Sequence, residues 1–364
     1  VGTLRINTNS LEISRSDDRK INNVILHEMT HLLGFTPALF PYYYTQENVA
    51  QTRSVTIGDQ TAQRVVLVAP RVLAAAREHF GCPSLDGVYM EDEGGSGSAG
   101  SHFEKNKFGN ELMTAILSTA PVLSTITLAL LEDSGWYQVN YGKAQDYYFG
   151  RNKGCAHFQT SCSASYPEYC TENGEMGCAG DYKGKTFCKV SRFSNGCNFF
   201  DTEEVFSCNN VYNFQETNRH EVSGPSSRCF LLDKGGKNRS ACYDARCENG
   251  SIIIQLDDET GVCTATGATV RINGQNVVCP DITDFCGQFT NTCTDDCNST
   301  GVCLADNTCR CDIFYTGSSC SIVEPCDASN QSICELLQRN TDGSDGISSW
   351  SMMALVGLLS AYLF

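Results

Sequence analysis

The distribution of cysteine is the sequence feature that most restricts how this chain can fold. The 364 residues contain 22 cysteines; none lies in the first 81 residues, and 21 lie between Cys155 and Cys334. That part of the chain is roughly 12% cysteine, a density at which a disulfide-bonded scaffold is the expected architecture. The even total predicts that the thiols pair, which indicates an oxidising compartment such as the secretory route or the cell exterior.

The balance of charge excludes one class of partner. The chain has 42 acidic and 26 basic residues, for a formal net charge of −16. Nucleic-acid binding needs clustered lysine and arginine, so we expect no nucleic-acid partner. Hydrophobic residues make up 41% and charged residues 19% of the chain, which is typical of a folded protein and not of a disordered one.

Two further signals concern location. Residues 347–364 contain no charge and follow the small, polar run 340–346. A small-residue site, a polar spacer and an apolar tail predict a GPI-attachment signal, with attachment at Asp342, Gly343 or Ser344. A tail-anchored helix and a buried terminal helix are the alternatives. Four N-glycosylation sequons agree with a secretory location but are weak evidence alone; they begin at Asn238, Asn249, Asn298 and Asn330.

The motif with the clearest chemistry lies in a predicted helix that begins after Ser16 or Asp17 and ends at Gly34. His27 and His31 are four residues apart, so their side chains project from one face of a helix. Two such imidazoles can bind one zinc ion, with Glu28 beside its open position as general base. The alternative is two surface histidines, but the apolar neighbours predict burial, and buried histidines need partners.

A catalytic zinc ion needs a third protein ligand, for which the sequence leaves more than one candidate. The compact motif with a histidine three residues after Gly34 is absent, because that residue is Pro37. We favour His102, because it follows the glycine-rich loop 94–101, whose backbone freedom could bring a side chain to a distant helix. Glu78 is the alternative ligand. The remaining histidines are predicted to pack, to be structural or to face solvent: His79, His157 and His220.

Four segments carry a family resemblance: His27–Phe35, Glu91–Phe103, Asn110–Ala115 and Thr127–Tyr137. Together they resemble the leishmanolysin family of metzincin zinc peptidases, over roughly residues 1–230. The resemblance implies that one zinc ion is bound by His27, His31 and His102, and that Met113 forms a Met-turn beneath it. It also implies that the substrates are proteins and peptides. Relatives carry a longer N-terminal region, so the resemblance implies that most of the N-terminal lobe is missing from this chain.

A second resemblance concerns residues 293–320, which contain six cysteines in the pattern C-x3-C-x5-C-x5-C-x-C-x8-C. The pattern resembles an EGF-like module. The resemblance implies three disulfides, Cys293–Cys303, Cys297–Cys309 and Cys311–Cys320, a choice that spacing alone could not make.

The sequence therefore predicts the α+β class: a zincin-like (metzincin) catalytic domain, a disulfide-rich and mostly β region, and a small EGF-like module. A second helix is predicted over Val122–Asp133, and strands over Ser251–Leu256 and Ala268–Ile272. The predicted boundaries are 1–34 for a remnant of the N-terminal lobe with the zinc helix, 35–136 for the central catalytic lobe, 137–290 for the cysteine-rich domain, 291–321 for the EGF-like module, 322–346 for a linker and 347–364 for the tail.

The resulting hypothesis is a membrane-anchored zinc endopeptidase of the cell surface. The alternative is a cell-surface adhesion protein that uses the peptidase fold as a scaffold. The complete set of His27, Glu28, His31 and His102 favours the peptidase, because a scaffold has no physical need for all four. The sequence leaves the oligomeric state open.

Overall fold

A computed structural model describes residues 18–44, 48–57, 60–118, 120–160, 162, 168–190, 193, 195–208, 221–233, 239–287, 293–311 and 315–323. Residues 1–15 alternate in part between apolar and polar, which predicts an extended segment or two short strands. This prediction and those for His220, Asn238, Asn330 and the C-terminal tail lie outside the described residues. The described helices are α1 Asp18–Leu33, α2 Pro70–Phe80, α3 Lys105–Phe108, α4 Thr125–Asp133, α5 Ala156–Gln159 and α6 Ile282–Gly287. None of these six is both long enough and apolar enough to cross a bilayer.

The described strands form antiparallel sheets. A three-stranded sheet contains β1 Ala50–Ile57, β2 Gln60–Leu67 and β3 Val88–Tyr89, and a second contains β4 Met176–Cys178, β5 Gly184–Lys189 and β6 Phe199–Ser207. A six-stranded sheet, in the order β10-β9-β8-β7-β12-β11, contains β7 Ser227–Leu232, β8 Arg239–Glu248, β9 Ser251–Leu256, β10 Glu259–Cys263, β11 Thr269–Ile272 and β12 Gln275–Val278. Two small hairpins follow, β13 Gly301–Cys303 with β14 Cys309–Cys311 and β15 Tyr315–Thr316 with β16 Ile322–Val323.

Local sequence explains where several elements begin and end. α1 ends before Gly34, which has φ 146°, a conformation that other residues rarely adopt. α2 begins at Pro70 and is followed by Gly81 in the left-handed conformation, both common helix-end signals. β9 coincides with the predicted strand Ser251–Leu256, because its buried residues alternate along a β-branched run.

The second predicted helix starts later than expected. We predicted Val122–Asp133, but α4 begins at Thr125. The side chain of Ser124 accepts hydrogen bonds from the amides of Ile126 and Thr127 and so caps the helix there. Val122 instead pairs with residues 110–112, through bonds from its amide to Asn110 O and from the Leu112 amide to its carbonyl. The apolar residues that predicted the helix therefore include Val122, which belongs to a short extended segment before the helix.

The described residues contain two large hydrophobic cores and two small clusters of buried cysteines. The first surrounds α2 and α4, and it continues past residue 136 as far as Phe199. The second lies against the six-stranded sheet and includes Phe230, Tyr243 and Phe285. α4 is buried on nearly all sides, which is why its apolar residues show little one-sided periodicity. The domain boundaries stay predictions.

Ten disulfides join every cysteine of the described residues, and Cys326 and Cys334 lie outside them. The pairs are Cys82–Cys155, Cys162–Cys197, Cys170–Cys188, Cys178–Cys229, Cys208–Cys242, Cys247–Cys286, Cys263–Cys279, Cys293–Cys303, Cys297–Cys309 and Cys311–Cys320. The last three are the pairs that the EGF-like resemblance implies.

The segment that contains these last three disulfides packs against the first core's surface. The amide of Ala305 donates to Ala144 O at 3.0 Å, and the amide of Asp306 donates to Gly142 O. Lys143 Nζ lies 3.2 Å from the Asp306 carboxylate. Backbone and charged contacts together attach this small segment to the lobe that contains α4.

Asp133 joins α4 to α2 and provides a test of this packing. Its two carboxylate oxygens accept the amides of Arg71 and Val72 at 3.1 and 2.8 Å, in the first turn of α2. We predict that Asp133→Asn lowers the free energy of unfolding by about 1 to 2 kcal/mol, because the negative charge at the helix start is lost and an amide N–H faces a backbone N–H. Urea denaturation with intact disulfides measures this.

Asp86→Asn is the control, because its carboxylate is 72% exposed and pairs with Arg53 at the surface. We expect a change below about 0.5 kcal/mol for it. Equal midpoints for the two variants would contradict the proposed role of Asp133 at α2.

Candidate metal centre

Three histidine side chains converge at one point. His27 and His31 lie one turn apart on α1, and their Nε2 atoms are 3.1 Å apart. His102 follows the glycine-rich loop, and its Nε2 lies 3.2 Å from the Nε2 of each of the other two. The structure thus brings together the three predicted ligands. Glu78, the alternative ligand, is exposed on α2 and does not belong to this cluster.

Backbone carbonyls fix the tautomer of each imidazole. The Nδ1 atom of His27 lies 2.7 Å from Leu112 O, and that of His31 lies 2.6 Å from Phe35 O. The Nδ1 atom of His102 lies 3.2 Å from Ser98 O and 3.0 Å from the Ser101 hydroxyl, which itself donates to Ser98 O. A carbonyl oxygen can only accept, so each Nδ1 carries the hydrogen. Each Nε2 therefore directs a lone pair at the other two, which is the orientation of a metal ligand.

The donor set fits a divalent cation such as zinc. The three Nε2 atoms lie 3.1 to 3.2 Å apart. Their lone pairs cannot hydrogen-bond to one another, and only a shared cation makes this proximity favourable. Nitrogens about 2.0 to 2.1 Å from a tetrahedral zinc ion lie roughly 3.3 to 3.4 Å apart, close to the observed separation. The three histidines would hold such an ion, and a fourth ligand position would then remain for water or substrate.

Burial favours the neutral form of His27 and His102. Desolvation lowers the pKa of His27 to about 3, with small contributions from His31 and His102, although the hydrogen bond to Leu112 opposes the shift. Desolvation likewise lowers the pKa of His102 to about 4. Metal binding requires the neutral imidazole, so both ligands are available well below neutral pH.

The cluster opens to solvent on one side of α1. His27 is buried, His31 is half-buried, and Glu28 is exposed beside them. Leu32, one turn after Glu28, is 39% exposed. The exposed stripe of Glu28 and Leu32 therefore adjoins the metal-binding face.

Met113, the predicted Met-turn residue, lies between segments that hold two of the ligands. It is fully buried, and it follows Leu112, whose carbonyl accepts from His27. Its own carbonyl accepts the amide of Phe103, the neighbour of His102, at 2.8 Å. The buried carboxylate of Glu111 accepts the Met113 amide, and this residue was not among those predicted from the sequence. The sequence feature that could have identified Glu111 is an acidic residue directly before the apolar pair Leu112-Met113, which is buried.

The tyrosines that follow α1 and the remaining described histidines occupy packing and surface positions. Tyr43 is buried, and its hydroxyl donates to Gly34 O at 3.0 Å. Tyr42 and Tyr44 are 68% and 82% exposed. Away from the cluster, His79 stacks on Tyr147, and the buried Nε2 of His157 bonds to Lys107 O, so both pack in the core.

Comparison with known proteins decides the family. A family model described as leishmanolysin, a peptidase family, matches residues 1–213, more than half of the chain. The chain belongs to the leishmanolysin family. Its three imidazoles all lie within the matched region, so the family assignment and the metal-binding geometry concern the same residues.

Similar curated proteins include other members of the leishmanolysin family. A leishmanolysin-like peptidase of Caenorhabditis briggsae is 24% identical over 399 residues, which cover 78% of this chain and 60% of the relative. Leishmanolysin of Leishmania donovani is 35% identical over 173 residues, 46% of this chain and 28% of the relative. The ciliated left-right organizer metallopeptidase of Danio rerio is 28% identical over 278 residues, 71% of this chain and 44% of the relative. The chain therefore spans less than two thirds of the length of each of these relatives.

The converging imidazoles predict one tightly bound zinc ion per chain. We expect His102→Ala to weaken zinc binding by more than the roughly 10- to 100-fold that follows loss of an outer-shell partner, because a direct ligand is removed. Competition with a chromogenic chelator measures the affinity, and elemental analysis gives the stoichiometry.

His79→Ala is the matched control, since it also removes a partly buried imidazole, one whose Nε2 bonds to Phe149 O instead. We expect it to keep wild-type zinc affinity at reduced stability. Loss of zinc from both variants, or from neither, would contradict the three-histidine site.

Proposed function

We propose that this protein is a zinc-dependent endopeptidase that cleaves protein and peptide substrates. The observation that carries the proposal is the convergence of three imidazoles next to the exposed Glu28 on α1. Membership of the leishmanolysin family supports the same activity. An adhesion protein that used this fold as a scaffold would have no need to retain all four residues.

In this proposal the three histidines bind the metal and Glu28 transfers the proton. Zinc, when bound by His27, His31 and His102, lowers the pKa of water and polarises the carbonyl of a peptide bond. Glu28 accepts the proton of the attacking water as general base and then donates it to the nitrogen of the leaving amine. Its position directly after the ligand His27 on α1 and its exposure to solvent support this role.

We also propose the finer features that the sequence suggested. Met113 is the Met-turn of a metzincin-type site, which is supported by the bond from the Phe103 amide to its carbonyl and by the contact of the preceding Leu112 carbonyl with His27. Residues 291–321 form an EGF-like module, which is supported by the three disulfides within it.

The location is proposed on chemical grounds. Ten disulfides among the described residues are stable only in an oxidising environment, which supports the secretory route and the cell surface. Membrane attachment through a C-terminal lipid anchor or tail stays a prediction from residues 340–364.

We predict that Glu28→Ala retains zinc but loses about 10²- to 10⁴-fold in peptidase rate, because the general base is removed while all three ligands stay. Cleavage of casein and of a quenched peptide, with and without a chelator, measures the rate, and elemental analysis measures zinc. Glu78→Ala, at an exposed glutamate on α2, is the control and should keep full activity. Wild-type turnover by Glu28→Ala would refute the assignment.

A further inference from the structure

Glu111 is a carboxylate with no solvent exposure whose hydrogen-bonding capacity is filled. Its Oε2 accepts the amide of Met113, and its Oε1 accepts the Ser124 amide at 3.3 Å, the Ser124 hydroxyl at 2.7 Å and the Thr127 hydroxyl. A carboxylate offers about four acceptor sites, so four donors satisfy it. Ser124 and Thr127 belong to the start of α4, where the helix dipole also favours a negative charge.

One peptide unit connects this carboxylate to a metal ligand. The N–H of Met113 and the C=O of Leu112 belong to the same planar peptide, so fixing the direction of one fixes the other. The N–H donates to Glu111, and the C=O accepts from His27 Nδ1 at 2.7 Å. The carboxylate therefore determines where the acceptor for His27 points, and that acceptor sets the ring orientation and tautomer.

The same turn reaches the third ligand. The carbonyl of Met113 accepts the amide of Phe103 at 2.8 Å, and Phe103 follows His102 directly. The Leu112 amide donates to Val122 O, which ties the turn to the extended segment before α4. Displacement of the turn would thus disturb two of the three histidines, although Glu111 touches neither of them.

We propose that Glu111 is a positioning residue of the metal centre, which anchors the 112–113 peptide to the start of α4 and through it aligns His27 and the segment of His102. The proposal rests on the proposed zinc site and assigns a role to a residue that contacts neither metal nor substrate. Its influence passes through a rigid peptide, in the way that an outer-shell carboxylate acts on a directly bonded histidine.

The geometry requires a carboxylate, and an amide of the same shape cannot replace it. Each oxygen accepts a backbone N–H, Oε2 from Met113 and Oε1 from Ser124, and a backbone N–H cannot become an acceptor. Glutamine has one oxygen, so either orientation of its amide directs an NH2 group at one of these amides. Glu111→Gln should therefore move the turn even though the side-chain volume hardly changes.

The test compares zinc affinity with stability in the full 364-residue chain. We expect Glu111→Gln to weaken zinc binding by about 10- to 100-fold, the usual effect of an outer-shell partner. Competition with a chromogenic chelator gives the affinity, and the visible spectrum of the cobalt-substituted protein reports the ligand geometry. We expect that spectrum to shift, because His27 changes its orientation.

Asp133→Asn is the matched control. Asp133 is also fully buried, and its two oxygens also accept two backbone amides, those of Arg71 and Val72. These amides belong to α2, which contributes no ligand to the cluster. This variant should lose thermal stability and keep wild-type zinc affinity and cobalt spectrum, which separates a positioning role from a general loss of packing.

A folded Glu111→Gln protein with wild-type zinc affinity and cobalt spectrum would overturn the proposal. If that variant does not fold, Thr127→Val decides, because it removes a single donor to Glu111 with little change of shape. A several-fold faster release of zinc from Thr127→Val supports the proposal, and an unchanged rate overturns it. Failure of the wild-type chain to bind zinc would instead refute the proposed function itself.

Discussion

The rest of the lobe that contains the histidine cluster depends on one arrangement, in which three imidazole Nε2 atoms lie 3.1 to 3.2 Å apart with their lone pairs directed at one another. Such an arrangement is unfavourable without a cation, so the fold must fix each ring through a hydrogen bond at Nδ1, the nitrogen that points away from the cluster. It does so with carbonyls from three different segments, at Leu112, Phe35 and Ser98. Each acceptor fixes a tautomer and an orientation, and none of them depends on a side chain that could rotate away.

The carbonyls are in turn positioned by buried polar contacts and by the core. The Leu112 carbonyl shares a peptide with the Met113 amide, which Glu111 holds against the start of α4. α4 packs on α2, whose first turn is capped by Asp133. Two buried carboxylates thus link helices and turns of the same core. Each carboxylate is tolerated in the interior because backbone amides donate hydrogen bonds to its oxygens.

The sequence predicted some of these residues for clear physical reasons. His27, Glu28 and His31 followed from helical spacing, because a pattern of four residues on one helix is a local property. His102 followed less directly, from a flexible glycine-rich loop and the family resemblance, with Glu78 left as an alternative. Glu111 was missed, because its role depends on which peptide it faces. The start of α4 was placed three residues too early, because an apolar run does not reveal whether Val122 pairs as extended chain.

By itself, the amino-acid sequence determined the chemistry available to this protein: a pair of histidines with a neighbouring glutamate on one helix face, and enough cysteines to cross-link the chain. Those properties depend only on residue type and short-range spacing. The tertiary structure decided which distant side chain completed the cluster, and which backbone carbonyls oriented each ring. It did so because residues more than 70 positions apart come within 3.2 Å only through the packing of the core.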